Sequence, residues 1–209
     1  MSTFTTLYSS YGQSVWLDYI DRNLLVNGGL RELVSAGVRG VTSNPTIFHK
    51  AISEGALYDD SIRDLMQADA QIDAPTLYQW LTIQDVQMAA DLLAGLYRSS
   101  DKADGFVSLE VSPHLAHDTQ GTIEAARHLW KMVERPNLMI KVPATRAGIP
   151  AVETLIGEGI NVNVTLLFST ARYEEVMDAY LRGLARNPDP HSVASVASFF
   201  ISRVDGMVD

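Results

Sequence analysis

Asn137-Leu138-Met139-Ile140-Lys141-Val142-Pro143-Ala144-Thr145 sets one lysine in an otherwise uncharged run. It reads as a short buried strand that carries a lysine where a hydrophobe is expected. Leu138, Ile140 and Val142 share one face, and Met139, Lys141 and Pro143 the other. A run of this length and composition suits a strand covered on both sides. Burial strips an ammonium of hydration and disfavours its charge, and a lysine in its neutral form is a nucleophile towards carbonyls. The blander alternative is an edge strand with a snorkelling, solvated lysine. The rest of the chain decides between the two.

On either side of this stretch, strand and helix patterns alternate. Val15–Ile20 is the first strand candidate, and Asp21–Ala36 a helix stopped by Gly37. Residues 1–13, rich in Ser, Thr and Tyr, read as a lead-in segment. Val38–Ser43 is a second strand ended by Asn44-Pro45, where proline removes a backbone donor. Residues 46–105 form a helical insertion whose last and longest helix, Thr76–Ser99, has Thr76 as its expected cap. Phe106–Ser112 is a third strand, followed by a helix over 122–134, the lysine strand and a helix over 149–158. Asn161–Phe168 is the fifth strand, 171–186 a helix, and Val193–Val204 the sixth strand. This alternation predicts parallel strands joined by crossovers, in a doubly wound sheet or a β/α barrel.

Two observations favour the barrel. No Gly-x-Gly-x-x-Gly follows the first strand, which removes the best argument for a dinucleotide fold. Each strand also places a polar residue near its C-terminal end: Asp18, Asn44, Glu110, Lys141, Asn163 with Thr165, and Ser198. In a β/α barrel, inward residues at the strand C-termini converge on one mouth, where such enzymes place their sites. The expected domain is single, residues 1–209, with the helical insertion at about 46–105.

Composition narrows the function classes. The chain has 209 residues, 46% hydrophobic and 20% charged, which suits a globular protein with a substantial core. A net charge of −9 argues against a general affinity for nucleic acid. There is no cysteine, so neither a disulfide framework nor a thiolate site exists. No apolar run approaches a membrane span, and the expected setting is the cytoplasm. His114-x-x-His117 has no third ligand suitably spaced, so no metal or other cofactor is expected.

Val41-Thr42-Ser43-Asn44-Pro45-Thr46-Ile47 and Leu138–Ile149 resemble the two signatures of transaldolase. Val107–Val111 and Asn163–Ser169 are similar to that family's third and fifth strands. The resemblance runs from about residue 14 to the C-terminus. It implies a (β/α)8 TIM-barrel enzyme of the pentose phosphate pathway that works through a lysine Schiff base. Such an enzyme moves a dihydroxyacetone unit between sugar phosphates, from sedoheptulose 7-phosphate to glyceraldehyde 3-phosphate, giving erythrose 4-phosphate and fructose 6-phosphate. By the same resemblance, Lys141 is the Schiff-base residue, and Glu110 works through a water that Thr165 also holds. Asp18 handles the proton of the hydroxyl involved in bond cleavage. Asn44, Asn163 and Ser198 match positions that bind the dihydroxyacetone part, and Arg203 matches a phosphate-binding arginine.

Each assignment has a plainer competitor. Asp18 could cap the helix starting near Asp21, and Asn44 could be only a turn former. Glu110 could be the partner of Lys141 in a structural ion pair. Arg203 could be a solvated arginine near a helix start. One departure stands out: the family's barrel has eight strands, and six βα units are read here. That pattern is expected of a chain lacking the last two units, with doubtful turnover of its own and association, or homo-oligomerisation, through open barrel edges. The alternatives to a transaldolase are a fructose-6-phosphate-aldolase-like enzyme and a catalytically silent fragment. The aldolase branch carries glutamine where this chain has Glu110.

Overall fold

Among the described residues six strands alternate with helices, and the order of the strands in the sheet is their order in the sequence. The computed structural model describes residues 2–208. The strands are β1 (Val15–Leu17), β2 (Val38–Val41), β3 (Phe106–Glu110), β4 (Leu138–Pro143), β5 (Val162–Leu167) and β6 (Ser195–Phe199). The pairs β1–β2, β2–β3, β4–β5 and β5–β6 are parallel. Between β3 and β4, Val107 N–H donates to Asn137 O and Val111 N–H to Lys141 O, so both strands advance together. A doubly wound sheet reverses its strand order at a switch point, and this one never reverses. The fold is therefore of the (β/α) TIM-barrel type, with six of the eight units in this chain.

The helices are α1 (Thr3–Tyr11), α2 (Arg22–Val26), α3 (Gly29–Ser35), α4 (Pro45–Glu54), α5 (Asp59–Ala68) and α6 (Ala74–Ser99). They continue as α7 (Thr119–Val133), α8 (Gly148–Gly157), α9 (Thr170–Arg186) and α10 (Ile201–Val208). The structure departs from the sequence reading at three places. The lead-in segment holds α1, because Ser2 caps it from Thr5 N–H and Gly12 ends it in the left-handed region. The helix expected over 21–36 is two, parted at Gly28, whose φ of 84° a non-glycine residue adopts poorly. The sixth strand stops at Phe199, and the chain turns into α10 from Ile201.

The chain divides into two compact units: residues 2–109 with 133–138, and residues 110–132 with 139–208. The core of the first includes Leu30, Val41, Phe48, Leu81, Val86, Leu93 and Val107. The long helix α6 returns to β3 through a loop closed by Gly105. A Cβ there would meet Tyr97 N at 2.5 Å, so the close approach requires glycine. Asn137 holds the start of β4 by donating to Ala90 O and Gly105 O. A buried polar cluster ties α2 to α6. Arg22 Nε donates to Asp85 Oδ1 and the Tyr58 hydroxyl to Asp85 Oδ2, while Arg22 reaches Ser61 and Gln84 as well.

In the second unit, β4 and β5 carry an apolar face of Ile140, Val142, Val162 and Val164, all essentially buried. Helices α8 and α9 pack closely at Gly183, where a Cβ would meet Glu153 O at 2.7 Å. Arg182 and Arg186 both pair with Glu153 across that contact. Among the described residues, no helix is long and apolar enough to cross a membrane.

Candidate active site

The second unit holds the lysine. β4 is buried along its whole length, and Lys141 at its centre is 4% exposed. Ile140 and Val142 flank it on the opposite face, so strand alternation sends Lys141 the other way. Its Nζ lies 3.6 Å from Oε2 of Glu110, the last residue of β3. That separation is an ion pair and exceeds the reach of an N–H···O hydrogen bond. The edge-strand alternative for this stretch does not hold, because β4 has β3 on one side and β5 on the other.

Strand register places the neighbours. Lys141 stands opposite Asn163 and Pro143 opposite Thr165 on β5, so all four share one face. Asn163 and Thr165 are each 1% exposed. The Ser198 hydroxyl, from β6, donates to Asn163 Oδ1 at 2.8 Å. The Thr165 hydroxyl oxygen is buried without a hydrogen-bond partner. Buried hydroxyls are ordinarily paired, and one left unpaired inside a polar cluster is a natural contact for a substrate or a water.

Asp18 and Asn44 lie in the first unit. Asp18 follows β1 and is exposed. It is not the cap of α2: Asp21 is, accepting from Leu24 N–H at 2.6 Å, which disposes of the plainer reading. Asn44 does cap α4, its Oδ1 accepting from Ile47 N–H at 3.0 Å with Pro45 in the first turn. That cap employs Oδ1 and does not involve Nδ2. Thr42, two residues earlier, is a candidate that the sequence reading passed over. Its Oγ1 is buried with no hydrogen-bond partner, a state that no sequence pattern announces. Arg203 lies on α10, exposed, with its guanidinium carbon 5.5 Å from the centre of the Phe200 ring. Phe200 in turn stacks on Phe168 at 5.8 Å.

Within the second unit, then, the structure joins Lys141 to Glu110 and Ser198 to Asn163, with Thr165 on the same face. A buried amine beside a carboxylate, ringed by an amide and hydroxyls, is equipped for condensation with a carbonyl. In such an arrangement an amine can attack a carbonyl and a carboxylate can move protons.

Comparison with known proteins points the same way. The family model described as Transaldolase/Fructose-6-phosphate aldolase matches residues 15–209. A transaldolase of Mycobacterium tuberculosis (strain ATCC 25618 / H37Rv) is 51% identical over 206 residues, which cover 96% of this chain and 55% of the relative. Those of Mycolicibacterium smegmatis and Saccharopolyspora erythraea are 51% and 50% identical with the same coverage. The chain thus spans about half the length of the curated relatives it matches.

Proposed function

Because the chain belongs to the transaldolase/fructose-6-phosphate aldolase family, we propose that it acts as a transaldolase, with Lys141 as its Schiff-base residue. The Lys141 amine attacks the ketose carbonyl, and loss of water gives the protonated imine. Cleavage of the carbon–carbon bond beyond it takes the proton of the adjacent hydroxyl, a task assigned to Asp18. The aldose phosphate leaves, and the three-carbon enamine stays on Lys141 until an acceptor aldose phosphate takes it up. Glu110, through a water shared with Thr165, moves protons on and off the nitrogen and oxygen. Asn44, Asn163 and Ser198 hold the dihydroxyacetone part, and Arg203 meets a phosphate, which a guanidinium fits in bidentate fashion. The proposed setting is the cytoplasm, with phosphorylated sugars as partners.

The observation that carries this reading is the buried Lys141 amine 3.6 Å from Glu110. The test is borohydride trapping with fructose 6-phosphate, followed by peptide mass analysis. The adduct is expected on Lys141. Its appearance on Lys50, Lys102 or Lys131 instead would sink the assignment. Supplying erythrose 4-phosphate separates transfer from simple cleavage. Release of free dihydroxyacetone in preference to sedoheptulose 7-phosphate would favour the aldolase reading.

A further inference from the structure

The pairing of β5 with β6 slips by one residue beside the lysine. Asn163 stands opposite Val196 and Val164 opposite Ala197, but the next pair is Leu167 with Phe199. From Val164 to Leu167 the chain takes three steps, while from Ala197 to Phe199 it takes two. Strand β5 therefore carries one extra residue, and Thr165 and Leu166 together face Ser198. This is a β-bulge. Leu166 has a φ of 61°, in the left-handed region that a Cβ disfavours. The other described non-glycine residues with positive φ, Asp101, Lys102 and Glu134, lie outside the strands. The Leu166 side chain is turned out, 42% exposed in a strand otherwise buried.

The slip is confined to the β6 side. Towards β4, Thr165 remains opposite Pro143, and its carbonyl accepts from Ala144 N–H at 2.8 Å. In an unbroken ladder the register Val164 to Ala197 would continue to Thr165 opposite Ser198, two hydroxyls on one face that could bond to each other. Here the Ser198 hydroxyl goes to Asn163, and the Thr165 hydroxyl is left buried without a partner. Strained backbone persists where the surroundings over-determine it, and it gathers at functional sites.

We infer that Leu166 is a positioning residue: its left-handed bulge denies Thr165 the cross-strand partner Ser198 and so reserves the threonine hydroxyl for the proton path of the lysine chemistry. The inference rests on the function proposed above, and two measurements keep the two separable. The first is kinetic. Glycine adopts the left-handed region freely, whereas β-branched isoleucine resists it. Leu166→Ile is expected to lower kcat with KM within about twofold, and Leu166→Gly to show a kcat at least about tenfold above that of Leu166→Ile. Equal kcat values for the two variants, or a change in KM alone, would overturn the inference. The second is thermal and needs no turnover. Thr165→Val removes a hydroxyl with no partner in the protein, whereas Ser198→Ala removes one that bonds Asn163, so Thr165→Val is expected to lower the Tm by less than Ser198→Ala. A Tm loss for Thr165→Val equal to or larger than that for Ser198→Ala would show that the threonine hydroxyl is held by the protein, and would overturn the inference even if Leu166→Ile failed to fold. Should the parent chain give no Lys141 adduct, the proposed function falls while the thermal measurement still judges the bulge.

Discussion

Glu110 stands close enough to Lys141 to balance its charge and too far for a direct N–H···O bond across the 3.6 Å gap. A buried ion pair adds little net stability, so structure alone gives weak reason for it. Proton transfer gives a better one, and general acid–base groups typically contribute about 10²–10⁴-fold. Glu110→Gln preserves the shape and removes the ionisable proton. The expected outcome is a kcat lower by roughly 10²–10⁴, an unchanged circular dichroism spectrum, and an adduct still trapped on Lys141. A kcat within about threefold of the parent would take Glu110 out of the proton path. At this scale the two residues of the candidate site that pair, Lys141 and Glu110, are legible in the sequence. Lys141 is the one charged residue in its nine-residue stretch, and Glu110 ends an apolar strand. The hydroxyls of Thr42 and Thr165 are different, since having no partner is a property of the surroundings and not of the residue.

At the scale of elements, the Arg22–Asp85–Tyr58 cluster joins α2, α6 and the turn Ala56–Tyr58 that precedes α5. Burial pushes the Asp85 carboxyl up, while the Tyr58 hydroxyl and the Arg22 guanidinium pull it back. Burial also pushes the Tyr58 hydroxyl up, with its bond to Asp85 adding to the shift. The two deletions have unequal consequences. Asp85→Ala leaves the guanidinium buried without its carboxylate and is expected to cost about 3–5 kcal/mol. Tyr58→Phe removes one donor to Asp85 and one acceptor of Arg22 N–H, and is expected to cost about 1–3 kcal/mol. Chemical denaturation of both variants checks the order, and a larger loss for Tyr58→Phe would show that the hydroxyl holds these elements. None of this cluster is legible in the sequence, because Arg22 and Asp85 are 63 positions apart. Element ends, too, depend on partners that the local sequence does not name. The cap of α6 is Asp73, accepting from Thr76 N–H, where the sequence suggests Thr76 itself. The bulge at Leu166 is a mismatch between two strands, and neither strand shows it alone.

For the whole molecule, the alternation of strand and helix patterns leaves a doubly wound and a sequential strand order open, and the polar residue at each strand end, with no Gly-x-Gly-x-x-Gly after the first strand, favours the sequential one. The division into two compact units does not follow from it: β3 and β4 each pass from one unit to the other within a single strand, with no composition break to mark the place. Net charge is legible directly, and it makes a prediction about rates. At −9 the chain repels a sugar phosphate at long range, while the proposed contact at Arg203 acts only close in. Salt weakens the two unequally. The screening length falls from about 30 Å at 0.01 M ionic strength to about 8 Å at 0.15 M, which removes the distant repulsion before the contact. The expected outcome is that kcat/KM for fructose 6-phosphate rises over that range, while kcat/KM for unphosphorylated fructose stays flat. A steady fall for the phosphorylated sugar would show that a local positive field, stronger than the overall charge, draws the phosphate in.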